Sequence, residues 1–232
     1  MYDARYAQAM PERTSIWLRP AKPGRGRPAL DRDQIVAAAV ALLDEESVAG
    51  LTMRKLGDRL GVPPMTLYGY VATKDDLLEY ALDAVFDETL NDAEPGTDWR
   101  AELAAIGART FEALLRHHWA AALVGAAPPM GPAAVAQFGT IMRVLTAAGF
   151  TGERLESATT AFYYYVLGAA LAESAWARTG STVESLTAGL PNPAAADELT
   201  PAAEFLAGYA NADARQRFDR GLRAVLDGLR PA

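Results

Sequence analysis

The stretch LTMRKLGDRLGVPPMTLYGYVATKDDL, from Leu51 to Leu77, decides the fold. Its first part predicts a short helix whose apolar face comprises Met53, Leu56 and Leu60. Gly61 ends that helix, and Leu67 follows six residues later, where it can pack back onto the preceding helix. Two helices that cross at about 90–120° often have a glycine in the turn between them. The spacing therefore predicts a helix-turn-helix.

The second helix of this pair begins at two prolines. Pro64 suits the first helical position, because the N–H group that proline lacks has no intrahelical partner there. Pro63 is held extended by the proline that follows it. Residues at the front of such a helix reach base edges in the major groove of DNA. We therefore predict that Pro64, Met65 and Thr66 face the bases, and that Thr66 can hydrogen-bond or touch a thymine methyl group.

Residues on either side of this helix are predicted to contact the DNA backbone. Tyr68 and Tyr70 are long enough to reach phosphates beside the groove, and packing against the preceding helix is the alternative for both. Lys74 lies at the start of the next helix, where a cation opposes the helix dipole unless an anion is bound. Lys74 is thus either a phosphate ligand or a solvated surface charge. Thr52, which can cap the first helix of the pair, is also assigned to the DNA-binding set.

The net charge of −7 is distributed unevenly along the chain. Residues 1–80 contain 11 Lys and Arg against 11 Asp and Glu, so the residues after Tyr80 carry the whole negative excess. Residues 13–30 contain five basic residues and no acidic one. Within them, Arg25-Gly26-Arg27-Pro28 is similar to an AT-hook, in which an extended Arg-Gly-Arg lies in a narrow A·T minor groove. We predict a flexible basic arm over residues 1–30, with Arg25 and Arg27 either bound to DNA or disordered.

Composition restricts the admissible classes of protein. Half of the 232 residues are apolar, which is ample for a sizeable core. The absence of cysteine excludes disulfides, thiolate metal sites and cysteine nucleophiles. No apolar run reaches the roughly 18 residues that a membrane helix needs, and the N-terminus lacks the apolar stretch of a signal peptide. The sequence therefore predicts a cytoplasmic protein with no membrane partner.

The sequence on both sides of the helix pair also predicts helices. These cover residues 31–47, 75–90, 99–125, 133–150, 152–179 and 213–229, and the helix over 75–90 links the pair to the rest of the chain. The helix over 152–179 is apolar on nearly every face, since Phe162 to Tyr165 point about 100° apart. One domain offers one core, so a second apolar face predicts a partner subunit. Gly168 and Ala172 permit another helix to approach closely.

The run LTMRKLGDRLGVPPMTLYGYVATKDDLLEYAL closely resembles the DNA-binding domain of the tetracycline-repressor (TetR) family. The Thr-Leu-Tyr core, the aromatic Tyr70, Lys74 and the Leu-Leu pair after it carry the resemblance, which covers about residues 30–86. Gly69 and Pro63 depart from the family pattern, where a larger residue and a polar cap are usual. The resemblance implies an all-α fold, with a helix-turn-helix DNA-binding domain over residues 31–78 and a larger ligand-binding and dimerisation domain over 79–232.

The resemblance further implies a homodimeric repressor that binds a pseudo-palindromic operator and is released by a small molecule. The dimer interface would be a four-helix bundle of the helices over 152–179 and 213–229. Ligand binding would shift the linking helix and move the two recognition helices away from a spacing of one DNA turn, about 34–36 Å. Candidates for the wall of the ligand pocket are Phe111, Leu115, His118, Trp119, Met130, Phe138, Met142, Phe162, Tyr165 and Trp176, each of which could instead be ordinary core.

No cofactor or metal site is predicted. His117 and His118 are the only histidines, and adjacent residues diverge on a helix, so they cannot readily chelate one metal ion. Where the tetracycline repressor has a metal-liganding histidine before Leu-Gly, this sequence has Leu123 before Val124-Gly125. The resemblance is therefore to the architecture, and binding of magnesium-tetracycline is not implied.

Two other classes of function compete with a ligand-responsive regulator. A helical adaptor could use the helix-turn-helix to bind protein, but the basic arm and Lys74 argue against it. An enzyme needs a nucleophile, an acid–base pair or a cofactor loop, and the sequence contains no P-loop, G-x-S-x-G, H-E-x-x-H or G-x-G-x-x-G motif. We therefore predict no enzymatic activity. Residues 179–200, which are rich in small residues, are either disordered or a cover for the pocket.

Overall fold

The computed structural model describes residues 15–18, 30–90, 98–179, 208–209 and 212–231. Within these ranges the chain forms a 3-10 helix at Ile16–Leu18, nine α-helices and no β-strand. The α-helices are α1 (Arg32–Gly50), α2 (Met53–Leu60), α3 (Pro64–Leu67), α4 (Lys74–Asp87), α5 (Trp99–Arg116), α6 (His118–Ala126), α7 (Pro132–Ala147), α8 (Gly152–Thr179) and α9 (Ala214–Gly228). None of these helices combines the length and apolarity needed to cross a membrane. The predicted all-α fold is confirmed.

The chain divides into two compact units. The first unit comprises Met1–Pro95 and Glu112–Arg143, and the second comprises Gly96–Phe111 and Val144–Ala232. Helix α5 therefore belongs to the second unit over most of its length and to the first unit in its last turn.

In the first unit, α1 forms where the sequence predicts a helix. The Asp31 backbone N–H donates a hydrogen bond to Gln34 Oε1 over 3.1 Å, which satisfies a group at the helix start. The inward face of α1 is buried and comprises Ile35, Ala39, Leu42 and Leu43. Ser47 has φ 62° and ψ −179°, which interrupts the helical conformation at the predicted end of this helix. Residues up to Gly50 follow this kink.

Helix α4 links the helix pair to the rest of the first unit. Thr73 Oγ1 accepts a hydrogen bond from the Asp76 N–H over 3.1 Å, so the helix begins at Lys74. The 3-10 helix in the predicted arm attaches to α4: Ser15 Oγ and the Ile16 N–H both donate to Glu79. The Trp17 ring also packs edge-on against Tyr80, with 5.0 Å between the ring centroids.

The predicted single helix over residues 99–125 is wrong at His117, where the structure ends α5 and begins α6. His117 has φ −105° and ψ 65°, outside the helical region. The break places its ring in the interior, where Asp44 and Glu88 hold it through hydrogen bonds. Helical periodicity between the two segments is strong, so the sequence pattern alone does not show the break.

The start of α7 is fixed by a side chain of α4. Asp83 Oδ1 accepts hydrogen bonds from the backbone N–H groups of Ala133 and Ala134, over 3.0 and 3.1 Å. Gly131 lies so close to this carboxylate that a Cβ atom there would overlap it. Further along, the Gln137 side-chain amide donates to Thr89 Oγ1, beyond the end of α4. Helix α7 is therefore hydrogen-bonded to α4 at its start, and further along to Thr89, just after the end of α4.

In the second unit, α8 and α9 pack together with the first part of α5. Gly107 of α5 lets this contact be close, since a Cβ atom there would lie 3.0–3.3 Å from Leu222, Phe162 and Val166. Phe111 stacks on Phe218 with a centroid distance of 4.1 Å. The buried face of α9 comprises Phe218, Leu222 and Leu226.

A half-buried ion pair and a capped helix start complete this unit. Arg217 forms two hydrogen bonds with the Glu173 carboxylate, over 2.7 and 2.6 Å. It also donates to the backbone carbonyls of Tyr209 and Ala212. Asp213 caps α9 by accepting from the Gln216 N–H over 2.7 Å.

Candidate nucleic-acid interface and effector region

The turn between α2 and α3 is built on two glycines. Gly61 has φ 67° and ψ 29°, a left-handed conformation that glycine adopts without a Cβ penalty. The Val62 N–H donates to the Gly57 carbonyl over 2.9 Å. A Cβ atom on Gly57 would lie 2.7 Å from the Val62 oxygen and 3.3 Å from the Pro64 nitrogen. Glycine at position 57 therefore permits the close approach that the helix-turn-helix requires.

Helix α3 is short but held firmly. Pro64 occupies its first turn, and the Thr66 N–H donates to the Pro63 carbonyl over 2.9 Å. The chain continues in turns after Leu67, where the N–H groups of Tyr70 and Val71 both donate to the Leu67 carbonyl. The predicted recognition helix is thus one helical turn followed by tight turns. Its backbone is fixed by its own hydrogen bonds.

The two faces of this segment differ sharply in exposure. Leu67 is fully buried and Val71 is 1% exposed, so they attach α3 to the first unit. On the opposite face, Met65 is 78% exposed and Tyr68 is 46% exposed. Thr66 is also exposed, and Pro64 and Tyr70 are half-buried. Met65 and Thr66 are therefore both exposed at the front of α3, where the sequence predicts contacts with DNA bases.

Two of the basic side chains of α2 form ion pairs with acidic side chains of α1. Lys55 forms an ion pair with Glu46, and Arg59 forms two hydrogen bonds of 2.8 Å with Glu45. Arg54 is exposed and has no hydrogen bond or ion pair within the described residues. The sequence prediction omitted Arg54. Its position beside Thr52, at the start of α2, is the signal that could have identified it.

Two predicted DNA-binding residues also act inside the protein. Thr52 Oγ1 accepts a hydrogen bond from the Lys55 N–H over 3.2 Å and so caps α2. Lys74 Nζ donates to the Val48 carbonyl over 2.7 Å, and burial lowers the pKa of Lys74. An ammonium group has three donors, so this bond leaves two others. Contacts of Thr52 and Lys74 with phosphate stay predictions. Arg25 and Arg27 lie outside the described residues.

Five of the predicted pocket residues belong to helices of the first unit, and Met130 precedes α7. Leu115, His118 and Met142 are half-buried, and Phe138 and Met130 are exposed by 48% and 43%. Trp119 is buried, and its Nε1–H donates to Asp44 Oδ1 over 2.7 Å. The indole N–H of Trp119 is therefore already hydrogen-bonded within the protein.

The other four predicted pocket residues belong to the second unit. Phe111 and Phe162 are part of its core. Tyr165 Oη donates to the Phe218 carbonyl over 2.8 Å, and burial raises the pKa of this tyrosine. Trp176 packs edge-on against Tyr209 at 5.9 Å. All four have internal packing partners, and their contact with a ligand stays a prediction.

An open cleft in the second unit has a volume of about 470 Å³. It lies between the start of α8 and the end of α9 and is lined by Phe150, Glu153, Arg154, Ser157, Ala158, Gly228, Leu229 and Arg230. None of the predicted pocket residues lines this cleft. Within the described part of the chain, no group of three or more histidine and acidic side chains is arranged to hold a metal ion.

Comparison with known families agrees with this geometry. The family described as "Bacterial regulatory proteins, tetR family" matches residues 35–81, and "Tetracyclin repressor-like, C-terminal domain" matches residues 92–232. An HTH-type transcriptional regulator from Saccharopolyspora erythraea is 40% identical over 216 residues, which cover 93% of this chain and 91% of the relative. The HTH-type transcriptional repressor DrrR1 of Streptomyces coeruleorubidus is 33% identical over 223 residues, covering 92% and 83%.

Solved structures show the same architecture. Apo ActR from Streptomyces coelicolor superposes with a TM-score of 0.73 at 25% identity, covering 88% of this chain and 96% of that one. A transcriptional regulator described as a TetR from the same organism gives a TM-score of 0.71 at 29% identity, covering 86% and 97%.

A helix pair with glycine in its turn and exposed residues at the front of its second helix, followed along the chain by a larger helical region, is typical of a helix-turn-helix regulator of transcription. The chain belongs to the tetracycline-repressor (TetR) family of bacterial regulatory proteins. The family inferred from the sequence is thereby confirmed.

Proposed function

We propose that the protein is a ligand-responsive repressor that binds a pseudo-palindromic operator as a homodimer and is released by a small molecule. The observation that carries this proposal is the contrast within α3: Leu67 is fully buried, while its neighbours Met65 and Thr66 face outward on a turn fixed by Gly57 and Gly61. A relative that matches 92% of this chain and is named a repressor supports the sign of the regulation.

The DNA contacts divide into two kinds. Pro64, Met65 and Thr66 read base edges, because they lie at the exposed front of α3. Backbone contacts come from Thr52, Tyr68, Tyr70 and Lys74, and from Arg25 and Arg27 of the arm. We add Arg54 to this second group, because an exposed guanidinium at the start of α2 is free to bind phosphate.

Lys74 fits a phosphate contact because its first hydrogen bond is internal. The bond to the Val48 carbonyl fixes the ammonium beside the first turn of α4, whose backbone N–H groups favour an anion. A phosphate at this position would also stabilise the charged form of Lys74, which burial disfavours.

The homodimer is proposed to form on α8 and α9. One face of α8 is exposed along its length and comprises Ala161, Tyr164, Gly168 and Ala172. Tyr164 is 68% exposed, and a Cβ atom on Gly168 would have no neighbour within 4 Å among the described residues. Small residues flanking a large exposed aromatic side chain suit close packing against a partner helix.

We assign residues 1–30 to a basic arm, 31–78 to DNA binding and 79–232 to ligand binding and dimerisation. The pocket candidates remain those of the sequence: Phe111, Leu115, His118, Trp119, Met130, Phe138, Met142, Phe162, Tyr165 and Trp176. Within the first unit, Asp83 of α4 accepts a hydrogen bond from the start of α7. Glu88, just after the end of α4, contacts the His117 ring. A ligand that prefers one arrangement of these helices would reposition α4, and with it the recognition helix.

We place the protein in the cytoplasm, with its operator, and assign it no enzymatic activity. The DNA-binding role of the family supports both assignments.

A selection experiment followed by binding measurements tests this function. The purified protein selects duplexes from a random-sequence pool, and fluorescence anisotropy then compares the selected duplex with a scrambled one at two salt concentrations. We expect selected sequences with two-fold symmetry, an affinity at least about a thousandfold above the scrambled duplex, and weaker binding as salt rises. Enrichment of no sequence, together with no binding at low salt, would point to the helical adaptor instead.

A further inference from the structure

A short segment of the predicted arm is held against one side of α4. The Ser15 hydroxyl and the Ile16 N–H both donate to Glu79 Oε2, the second over 3.1 Å. The Trp17 ring meets the Tyr80 ring edge-on, with 5.0 Å between the centroids. All five residues are half-buried. These contacts, which we call the α4 anchor, belong to no DNA or pocket contact assigned above and need a separate explanation.

Tyr80 also contacts the start of α1. The guanidinium carbon of Arg32, the first residue of α1, lies 5.0 Å from the centroid of the Tyr80 ring. A cation placed over an aromatic ring at this distance is attracted to it. Trp17 and Arg32 stand on either side of residues 19–29 in the sequence, and those residues lie outside the described ones. The chain is therefore attached to one tyrosine of α4 both before and after this segment.

The sequence of residues 19–29 is strongly basic. It contains four basic residues and no acidic one, and Arg25 and Arg27, assigned to DNA above, are two of the four. A chain segment attached at one end only has many arrangements, and DNA binding must remove them at a cost in entropy. A second attachment removes some of them beforehand, which raises the effective concentration of the basic side chains beside the DNA.

We propose that Ser15, Ile16 and Trp17 are positioning residues for DNA binding: attached to α4, they hold the second end of the basic segment, so operator affinity falls when the attachment is broken. This inference rests on the proposed function. Because the anchor acts through the arginines of the arm, its loss should have little effect on a protein that lacks them. A contact that only stabilised α4 would matter equally in both proteins.

A double-mutant cycle on operator affinity tests the proposal. The probe is the duplex selected by the wild-type protein, and anisotropy gives its affinity. Trp17→Ala breaks the ring contact and should weaken binding about tenfold, within the roughly thirtyfold that closing a segment of eleven residues costs. In a protein that also carries Arg25→Ala and Arg27→Ala, the same change should cost less than about twofold. An equal loss in both backgrounds would overturn the proposal.

Two further variants keep this test specific. Trp17→Phe leaves an aromatic ring toward Tyr80 and should retain most of the affinity. Leu18→Ala is the matched control, because it shortens an apolar side chain of the same segment that is 64% exposed, and it should bind as the wild type does. A Trp17→Ala protein that binds as tightly as Leu18→Ala would refute the role of the anchor and leave the proposed function intact.

A spectrum of the DNA-free protein separates the anchor from the function on which it rests. Labelling with 5-fluorotryptophan should give one ¹⁹F resonance for each of the four tryptophans, and Trp17→Phe assigns one of them. Tyr80→Leu should shift the Trp17 resonance, because the neighbouring ring is lost. An unchanged resonance would refute the anchor even if operator binding is normal. Conversely, a shifted resonance in a protein that selects no duplex would refute the positioning role and the proposed function together.

Discussion

Asp83 lies on α4, and its Oδ1 atom is 3.0 Å from the backbone nitrogen of Ala133 at the start of α7. The same oxygen accepts from the next N–H group, and Gly131 leaves room for the carboxylate. One side chain thus supplies the acceptor for N–H groups that have no partner within their own helix. The contact makes the first turn of α7 depend on the position of α4.

Asp83→Ala is expected to destabilise the fold by about 1–2 kcal/mol, because it removes the acceptor for two backbone donors. Asp83→Asn keeps an acceptor oxygen and should cost less. Urea denaturation at neutral pH measures both free energies of unfolding. Equal losses for the two variants would show that the charge, and not the hydrogen bonds, matters at this position.

The Asp83 carboxyl also predicts a pH dependence of stability. Burial raises the pKa of Asp83, although the two N–H donors oppose this. A carboxyl group with a higher pKa in the folded state contributes stability below its unfolded pKa, and that contribution disappears as pH rises through the folded pKa. The free energy of unfolding of the wild type, relative to Asp83→Asn, should therefore decline as pH rises above about 4. Unfolding curves at several pH values check this, and a relative increase with pH would contradict it.

Gly57→Ala should disrupt the helix-turn-helix. The new methyl group would lie 2.7 Å from the Val62 carbonyl oxygen, and a backbone atom cannot move aside without shifting the turn. We expect a loss of about 1–3 kcal/mol in stability together with much weaker operator binding. Gly139→Ala is the matched control, since a methyl group there meets none of the described residues within 4 Å and alanine favours a helix. If both variants unfold alike, close packing at Gly57 is not the cause.

Thr66 and Tyr68 should differ in what they contribute to DNA binding. Thr66→Ala should reduce discrimination at one base pair per half-site by about 1–3 kcal/mol. Tyr68→Ala removes a contact with the backbone and should weaken selected and scrambled duplexes alike. Anisotropy titrations on both duplexes separate the two effects. An equal loss on both duplexes for Thr66→Ala would contradict its role in base reading.

Arg54 should bind phosphate through charge alone. Arg54→Ala is expected to weaken binding to every sequence and to lower the slope of log affinity against log salt by about 1 per protomer. Lys55→Ala is the comparison, because Lys55 is already paired with Glu46 and should change the slope less. The salt dependence of both variants gives the answer, and identical slopes in wild type and Arg54→Ala would remove Arg54 from the interface.

Gly168→Leu should separate the protomers without unfolding them. The position is exposed and open in one chain, and leucine favours a helix over glycine. A large side chain would therefore clash only in the dimer. Sedimentation velocity should show a shift to monomer, with operator binding lost in parallel. Gly139→Leu, at another open helical glycine, should remain dimeric. A dimeric Gly168→Leu protein would place the interface elsewhere.

Local chemistry explains what the sequence alone could predict. The helix-turn-helix follows from residues close in the chain, since Gly57, Gly61 and Pro64 determine the turn and Leu67 determines the inward face. Thr73 and Asp213 cap their helices as their positions indicate. These features need only short-range interactions, which periodicity and capping rules describe well.

Contacts between distant residues were not predictable in the same way. The bond from Lys74 to Val48 joins residues 26 apart, and the contact from His117 to Asp44 joins residues 73 apart. The second contact breaks a helix that its periodicity predicts to be continuous. The candidate pocket illustrates the same limit, because apolar residues on a helix face have the same pattern whether they line a cavity or fill a core.

The ion pair between Glu173 and Arg217 has a consequence for the covalent connection between α8 and α9. Arg217 binds the Glu173 side chain and the carbonyls of Tyr209 and Ala212, and Tyr165 binds the Phe218 carbonyl. Among the described residues, the ion pair with Glu173, the hydrogen bond from Tyr165 and the buried phenylalanine and leucines of its inner face hold the last helix against α8. The protein could accordingly tolerate a cut peptide bond between the two helices, and the C-terminal fragment would remain bound as a non-covalent subunit.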